Sequence, residues 1–252
     1  MSVQRIQIKR DTHLLVLTGA GVSAESGIRT FRDSGGLWEE HAVEAVASPG
    51  GFARDPVLVW RFYSERRRQA KECAPNPGHH ALARIEEGLG SRFLLVAQNV
   101  DGLHRRAGNQ RITEIHGSLF ETRCTRCDRE PFADESLHLT PPLPECDLCA
   151  RKGQKALLRP NIVWFGEMLD PANMLRIDRF MAEAEGHPFV FLAVGTSGAV
   201  YPAAGLVVEA RARGAQTWLV NAEAPDNARF FEIFIKGPSG RVLPDLIEVE
   251  AP

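Results

Sequence analysis

A short apolar strand that runs into a glycine turn constrains the fold of this chain more than any other feature. Residues 14–17 form an apolar run of the length of a buried parallel strand, and a helix start follows the turn. Gly19, Gly21 and Ala24 match the looser dinucleotide fingerprint, in which backbone N–H groups and a helix dipole hold a pyrophosphate. Two interpretations stay open: the glycines form an anion site, or they only shape the turn between strand and helix.

The segment after this turn departs from the pattern of a dehydrogenase. Dehydrogenases place an acidic residue about twenty positions on, at the end of a second strand, and that residue is missing here. In its place residues 27–33 form a polar loop that carries Phe31, Arg29 and Arg32. Such a loop suits an enzyme that must hold a dinucleotide and cover its reactive end.

The bulk composition excludes several classes of protein. The 252 residues suffice for one large domain, or for one large and one small domain. A formal net charge of −2 does not indicate binding to nucleic acid or to an anionic membrane. Apolar runs stay well short of the roughly 20 residues of a membrane span, and the N-terminus lacks the apolar region of a secretory signal. We therefore expect a cytoplasmic protein with no membrane partner.

Four of the five cysteines form two C-x2-C pairs with 18 residues between them. Cys124, Cys127, Cys146 and Cys149 predict a zinc ribbon, because disulfides are rare in the cytosol and four thiolates close a tetrahedral shell. A shell with no open position makes the metal structural. Cys73 is left over, and we expect it to be a small buried apolar residue.

A helix that begins after Asp55 places an arginine on an apolar face. Asp55 is a predicted N-cap and Pro56 a predicted first helical residue. Tyr63 and Arg66 share the face on which apolar residues recur with helical spacing. A buried guanidinium needs an anionic partner, so we expect this pair to clamp a ligand carboxylate or Arg66 to join an internal ion pair. Arg68 points to the opposite side and is expected to be solvated.

A cluster of polar residues follows the predicted strand at residues 93–97. Open α/β sheets bind ligands beyond the carboxyl ends of their strands, where Gln98, Asn99 and Asp101 lie. Their side chains suit a carboxamide or ribose hydroxyls, or alternatively Asn99 and Asp101 only stabilise a turn. His116 ends the next strand, so it is either a general base facing the same crevice or an ordinary packed or surface histidine.

Two later predicted strands end in small polar residues. The strand at 189–194 runs into residues that suit a phosphate or a ribose, and the strand at 217–220 runs into residues that suit the adenosine ribose. These predicted contacts are Gly195, Thr196, Ser197, Asn221 and Glu223. Between the two regions, residues 157–167 combine an apolar strand with an aromatic edge, which can line a tunnel and pair with an extended peptide. Core packing is the alternative there, and we expect it for Ile162.

The order of these motifs resembles that of sirtuins. GAGVSAESGI, FRD, QNVDGLH, the His116-Gly117 pair, the paired C-x-x-C, IVWFGE, GTS, VYPAAG and the strand end at Asn221 follow one another over about residues 12–248. The Tyr63-x-x-Arg66 pair further resembles the sirtuin branch that removes succinyl, malonyl and glutaryl groups from lysine, whose bacterial members also remove acetyl. Val100 replaces the commoner isoleucine, which preserves shape and apolarity.

The resemblance implies an α/β fold with a Rossmann-like parallel-sheet domain and a smaller domain made of a zinc ribbon and a helical insertion. Residues 1–35, 79–118 and 158–252 would form the NAD-binding domain. Residues 36–78 would form the helical module of the small domain, and residues 119–157 its zinc-ribbon module. One structural Zn²⁺ is implied.

The resemblance also implies a reaction in which NAD is consumed and an acyl group leaves a protein lysine, giving nicotinamide and O-acyl-ADP-ribose. His116 and Asn99 would be catalytic, with Phe31 shielding the reactive carbon. The implied NAD contacts are Gly19, Ala20, Gly21, Ser23, Phe31, Arg32, Gln98, Asn99, Asp101, Gly195, Thr196, Ser197, Asn221, Glu223 and Gly237. The implied substrate contacts are Tyr63, Arg66, Val163, Phe165, Gly166, Glu167, Val200 and Tyr201.

Other functions stay open at the level of sequence. An NAD-dependent dehydrogenase is disfavoured by the missing acidic residue and the zinc ribbon. A zinc-ribbon module that binds nucleic acid is disfavoured by the near-neutral charge. ADP-ribosyl transfer to protein on the same fold is not distinguished from deacylation. The expected partners are acyl-lysine proteins, and the expected state is a monomer.

Overall fold

The structure, a computed structural model, describes residues 5–9, 11–28, 37–38 and 41–249. Its strands are β1 (Ile6–Ile8), β2 (His13–Thr18), β3 (Leu37–Trp38), β4 (His41–Ala42), β5 (Phe93–Ala97), β6 (Ile112–Glu114), β7 (Gly117–Cys124), β8 (Phe132–Ala133), β9 (Leu158–Ile162), β10 (Phe189–Val194), β11 (Gln216–Asn221), β12 (Ile233–Lys236) and β13 (Ile247–Val249). Its helices are α1 (Gly21–Ala24), α2 (Val43–Val46), α3 (Pro49–Arg54), α4 (Pro56–Glu72), α5 (Pro77–Leu89), α6 (Leu103–Ala107), α7 (Asp147–Arg151), α8 (Pro171–Ala184), α9 (Leu206–Ala212) and α10 (Ser239–Leu246).

A six-stranded parallel sheet organises the larger part of the chain. Its strands lie side by side in the order β12-β11-β10-β2-β5-β6, and each neighbouring pair is parallel. Numbered along the chain and read from the β6 edge, this is the order 3-2-1-4-5-6 of the doubly wound dinucleotide fold. The order reverses between β2 and β10, so a crevice opens there at the carboxyl ends of the strands. The predicted Rossmann-like sheet is confirmed.

Helices cover both faces of this sheet, which explains its continuous apolar strands. Leu14 and Val16 of β2 point into a cluster that includes side chains of α5 and α10. Leu15 and Leu17 point the other way, into a cluster that includes side chains of α8 and α9. Because successive side chains alternate across a strand, a strand buried on both sides must be apolar at every position.

A third buried cluster belongs to a smaller module beside the sheet. Side chains of α2, α3 and α4 pack there with side chains of the antiparallel sheet β8-β7-β9. The start of α4 agrees with the sequence prediction, since the Asp55 carboxylate accepts a hydrogen bond of 2.9 Å from the Leu58 amide and Pro56 begins the helix. The residue boundaries proposed between the large and small domains stay predictions.

Several local features differ from the sequence prediction. The helix expected after the glycine turn is the single turn α1, which ends at Ala24. The N- and C-terminal segments form a parallel pair, β1 with β13, that the sequence analysis did not predict. Cys73 is half-buried rather than buried, so its description as a core residue is corrected. No helix among the described residues is long and apolar enough to cross a membrane.

Candidate active site

One cleft of about 1560 Å³ lies at the switch point of the sheet and extends towards the small module. It brings together most of the predicted site residues. Those that line it are Gly19, Ala20, Gly21, Tyr63, Arg66, Gln98, Asn99, Asp101, His116, Val163, Phe165, Gly166, Glu167, Gly195, Thr196, Ser197, Val200, Tyr201, Asn221, Glu223 and Gly237. Ser23 is buried next to the cleft. Phe31 and Arg32 lie outside the described residues.

The glycines of the first turn are required by contact between two loops. A Cβ atom on Gly19 or Gly21 would lie 2.8 Å from the carbonyl oxygen of Gly195, which follows β10. The Gly19 amide donates to Val194 at 3.0 Å, and the Gly21 amide donates to Gly195 at 2.8 Å. These amides are therefore engaged within the protein, and the one-turn helix α1 has little dipole. Gly19, Ala20 and Gly21 all line the cleft, and the prediction that this turn holds a phosphate stays a prediction.

His116 has a defined tautomer. Its Nδ1 atom lies 2.8 Å from the carbonyl oxygen of Gln98. A carbonyl oxygen only accepts hydrogen bonds, so Nδ1 carries the proton and Nε2 is left as the basic nitrogen. Burial lowers the pKa of His116, and the hydrogen bond to the Gln98 carbonyl opposes that shift. The side chain is therefore a neutral base with a fixed orientation.

Asn99 and Asp101 are held by contacts beneath the cleft. The Asn99 amide donates to the Ser23 hydroxyl at 2.9 Å, so Ser23 orients Asn99 from below. Asp101 accepts a hydrogen bond of 2.9 Å from the Leu103 amide and is 4% exposed. Burial raises the pKa of the Asp101 carboxyl, while the Leu103 amide, the Ser23 hydroxyl and the charge of Arg66 act in the opposite direction. The sequence analysis gave stabilisation of a turn as the alternative role, and Asp101 does make such a contact with the Leu103 amide. Both side chains nevertheless border the cleft.

A hydrogen-bonded chain joins the ends of four strands. Gln98 follows β5, and its amide donates to the Thr196 hydroxyl at 3.1 Å. Asn221 ends β11, and its amide donates to the Thr196 carbonyl at 3.0 Å. The Gly237 amide in turn donates to the Asn221 carbonyl at 3.0 Å. The predicted dinucleotide contacts after separate strands therefore form one connected wall.

Tyr63 and Arg66 lie at the small-module end of the cleft. Both side chains are buried, at 0% and 6% exposure, although the cleft reaches them. The Tyr63 hydroxyl accepts a hydrogen bond of 2.9 Å from the indole of Trp164. Burial raises the pKa of Tyr63, so the phenol is protonated at neutral pH. Because the charge of Arg66 also acts on Asp101, the internal ion pair stays open beside the carboxylate clamp.

The rim of the cleft exposes apolar side chains. Phe165 is 59% exposed, Val200 40% and Tyr201 76%. Glu167 differs, because its carboxylate is turned back towards the protein and bonded to Arg159 at 2.6 Å and 3.0 Å. If Glu167 contacts a substrate, its backbone rather than its carboxylate is available for that contact.

Arg67 is an important residue that the sequence analysis missed. It is fully buried, and its guanidinium donates to Asp134 at 3.0 Å, to Thr122 at 2.9 Å and to the Ser136 carbonyl at 2.7 Å. Its helical spacing could have predicted this burial. Arg67 follows Tyr63 by four positions on α4, which places the two residues on the same side of the helix. Arg68 is exposed and pairs with Glu65, as expected for a solvated side chain.

The four predicted metal ligands converge in the small module. The sulfur atoms of Cys124, Cys127, Cys146 and Cys149 all lie within 4.8 Å of one another. Cys124 Sγ is 3.8 Å from Cys149 Sγ, and Cys127 Sγ is 3.7 Å from Cys146 Sγ. Four thiolates around a tetrahedral zinc ion, each about 2.3 Å from it, lie about 3.8 Å apart. The cluster therefore fits a structural Zn²⁺.

Comparison with known proteins identifies the family. The sequence pattern of the Sir2 family matches residues 19–202. The chain belongs to the Sir2 family. An NAD-dependent protein deacylase of Salmonella typhimurium is 47% identical over 244 residues, which cover 96% of this chain and 85% of that protein.

Solved structures agree with this assignment to the Sir2 family. A Sir2 homologue in complex with NAD is 41% identical and superposes with a TM-score of 0.82, covering 93% of this chain and 87% of the other. A Sir2 protein bound to an acetylated peptide is 27% identical and has a TM-score of 0.75, covering 92% and 90% of the two chains. The sirtuin resemblance in the sequence is therefore confirmed at the level of the family.

Proposed function

We propose that this Sir2 protein is an NAD-dependent protein-lysine deacylase that removes acetyl and acidic acyl groups such as succinyl or malonyl. The observation that carries this proposal is the single cleft that holds both His116, in the tautomer of a base, and the buried Arg66. The deacylase name of the Salmonella relative and the NAD complex of the homologue support it. The acyl-lysine substrate is supported by the acetylated peptide bound to a Sir2 protein.

The loops at the strand tips would hold the dinucleotide. When bound, NAD supplies a ribose carbon that becomes reactive as its bond to nicotinamide breaks. The wall of Gln98, Thr196 and Asn221 would contact its ribose and phosphate groups, and Asn99 and Asp101 would orient its reactive end. The fixed glycine contact between the turn after β2 and Gly195 keeps the two halves of this wall together. Ala20, Ser197, Glu223 and Gly237 remain proposed contacts on the same cleft.

His116 would act as the general base. Its Nε2 atom would accept a proton from a ribose hydroxyl, while Nδ1 stays bonded to the Gln98 carbonyl. Because His116 is neutral before this step, it can take up the proton without a prior deprotonation. The products would be lysine, nicotinamide and O-acyl-ADP-ribose.

The acyl chain would end beside Arg66 and Tyr63. A guanidinium and a phenol one helical turn apart can both donate to a terminal carboxylate, and a charge-assisted bond of this kind contributes about 1.5–3 kcal/mol. The peptide would lie along the exposed rim formed by Val163, Phe165 and Gly166 on one side and Val200 and Tyr201 on the other. A short apolar acyl group such as acetyl would not reach the guanidinium.

The decisive experiment follows matched acetyl-lysine and succinyl-lysine peptides by mass spectrometry, with and without NAD. We expect loss of both acyl groups only with NAD, together with release of nicotinamide. Arg66→Met should reduce kcat/KM for the succinyl peptide far more than for the acetyl peptide, by about 10- to 100-fold for a lost charge-assisted bond. Arg68→Met is the matched control, because Arg68 lies on the exposed face of the same helix.

Each alternative gives a different result in this experiment. Equal loss of both activities in Arg66→Met would show that Arg66 is structural and does not recognise acidic acyl groups. Accumulation of NADH would indicate a dehydrogenase, and ADP-ribose attached to protein without deacylation would indicate a transferase.

Three further features belong to this proposal. The cysteine cluster would hold one structural Zn²⁺ that stabilises the small module. The protein would act as a monomer in the cytoplasm. The boundary between a Rossmann-like domain and a small domain would run near residues 35, 79, 118 and 158.

A further inference from the structure

Residues 163–167, here called the rim turn, are folded around one carboxylate. The Trp164 amide donates to the Glu167 carboxylate at 2.8 Å, and the Glu167 amide donates back to the Trp164 carbonyl at 3.0 Å. Between them Gly166 has a φ of +87°, and a Cβ atom added there would meet no atom within 4 Å. Gly166 therefore faces open space at the cleft, and the shape of the turn depends on where the Glu167 carboxylate is held.

Arg159 holds this carboxylate from behind the rim turn. It belongs to β9, is 6% exposed and donates to both carboxylate oxygens of Glu167, at 2.6 Å and 3.0 Å. The same guanidinium donates to the Ile162 carbonyl at 2.7 Å and lies over the Trp164 ring, 3.2 Å from its centroid. Arg159 does not line the cleft, whereas the rim turn that it contacts does. One buried side chain thus supports the turn at its start, its middle and its end.

Charge keeps the ion pair of Arg159 with Glu167 intact near neutral pH. Burial alone would raise the pKa of the Glu167 carboxyl, but hydrogen bonds from Arg159 and the Trp164 amide, with the charges of Arg159 and Arg123, leave that pKa below its usual value. Arg123 contributes a second contact to Glu167 at 3.2 Å. The carboxylate therefore remains ionised and bonded to both arginines.

Backbone contacts fix the rim turn to both sides of the cleft. The Val163 amide donates to the carbonyl of His116, the proposed base, at 2.9 Å. The Phe165 amide donates to the Ala47 carbonyl of the small module at 3.0 Å. A turn held in this way is already formed before a peptide arrives.

We propose that Arg159 is a positioning residue for the protein substrate, which holds the rim turn in the shape that receives the residues flanking the acyl-lysine. This inference rests on the proposed function and adds to it a residue that does not touch the substrate. A peptide that binds a preformed turn avoids the cost of ordering it, whereas a turn that must be ordered on binding weakens the affinity. An acyl-lysine without flanking residues makes little use of the turn and would not depend on Arg159.

The test compares an acetyl-lysine peptide with a single acetyl-lysine blocked at both ends. Arg159→Lys keeps the charge but lacks the planar fork that reaches Glu167 and the Ile162 carbonyl together. We expect KM for the peptide to rise by about 3- to 10-fold, the cost of ordering the turn on binding. We expect kcat for the peptide, KM for NAD and kcat/KM for the single acetyl-lysine to stay at the wild-type values.

Arg67→Lys is the matched control. Arg67 is also a buried arginine of the small module, but its guanidinium donates to Asp134 at 3.0 Å rather than to the rim turn. The same planar fork is lost, so any general cost of replacing a buried guanidinium appears in both variants and is measured by urea denaturation. Only Arg159→Lys should separate the peptide from the single acetyl-lysine.

A loss of stability in Arg159→Lys does not obscure the result. Unfolded enzyme lowers the apparent kcat for both substrates alike and leaves KM unchanged, so the ratio of the two KM values reports only the folded protein. Hydrogen exchange gives a second measurement, because the Trp164 and Glu167 amides should exchange faster in the variant while amides of β5 keep the wild-type rate. Equal KM changes for both substrates, or an unchanged peptide KM, would overturn the proposal.

The wild-type protein separates this inference from the function on which it rests. If it removes acetyl from neither substrate with NAD, the proposed function is wrong. If it acts on both with the same KM, the flanking residues do not bind the rim turn and the role of Arg159 is wrong. If it favours the peptide and Arg159→Lys keeps that preference in full, the proposed function stands and only the role of Arg159 is wrong.

Discussion

At the scale of single residues, the site depends on hydrogen-bond partners that define what each group can do. The Gln98 carbonyl forces Nδ1 of His116 to carry the proton, and the Trp164 indole occupies the Tyr63 oxygen as a donor. A carbonyl oxygen only accepts and an indole N–H only donates, so each neighbour defines the role of the atom that it contacts. The chemistry of the cleft is set before any ligand arrives.

The direction of the His116 pKa shift leads to a prediction about pH. In the proposed mechanism only the neutral form of His116 can act as the base, and a pKa below the usual value of 6.5 keeps the side chain neutral to lower pH. We therefore expect the acidic limb of kcat/KM against pH to fall below pH 6.5 for the acetyl-lysine peptide. Turnover should be lost in His116→Ala, with NAD binding still measurable by calorimetry.

His80→Ala provides the comparison for this prediction, because His80 is an exposed histidine outside the cleft. Its pH profile should match that of the wild type. An acidic limb well above pH 6.5, or repeated turnover by His116→Ala, would show that His116 is not the base.

At the scale of elements, α4 connects the cleft with the antiparallel sheet of the small module. One part of its surface brings Tyr63 and Arg66 to the cleft, and a neighbouring part buries Arg67 against β7 and the segment that follows β8. Arg67 donates to the Leu119 and Glu121 carbonyls as well as to Asp134. The Arg67 guanidinium therefore ties the helix that presents the proposed acyl clamp to the cysteine-rich sheet through several hydrogen bonds.

We predict that Arg67→Met reduces the free energy of unfolding by about 3–5 kcal/mol, because it leaves a largely buried Asp134 carboxylate and three carbonyls without their donor. Urea denaturation of the zinc-loaded protein measures this change. Arg68→Met, one position along the same helix, should change stability by no more than about 0.5 kcal/mol, since exposed pairs contribute little. Similar effects of the two substitutions would contradict the anchoring role of Arg67.

At the scale of the whole molecule, the two halves of the parallel sheet meet at glycines. The turn after β2 and the turn after β10 approach so closely that a Cβ atom on Gly195 would lie 2.4 Å from the Val22 amide nitrogen. Gly195 also has a φ of +60°, which favours glycine. The crevice of the doubly wound fold is thus closed at its base by backbone contact.

Gly195→Ala should therefore weaken both the fold and NAD binding. Gly214→Ala is the matched control, because Gly214 has a φ of +87° but no atom within 4 Å of the added Cβ. In the control, the free energy of unfolding should fall only by the cost of placing alanine in a left-handed conformation, about 1–2 kcal/mol. We expect a larger loss for Gly195→Ala in urea denaturation, and a reduced NAD affinity in that variant alone. Equal losses with unchanged NAD affinity would show that the contact between the turns is unimportant.

The sequence by itself determined the alternation of apolar strands and helices, the helix cap at Asp55, the cysteine spacing and the polar residues at strand ends. These features lie within short segments, where periodicity and covalent spacing fix the outcome. Only the tertiary structure decided that Arg67 is buried, that Gly19 and Gly21 serve a contact between loops, and that the Trp164 indole donates to Tyr63. Each of those depends on partners that are distant in the chain, and the chain leaves such partners unspecified until it has folded.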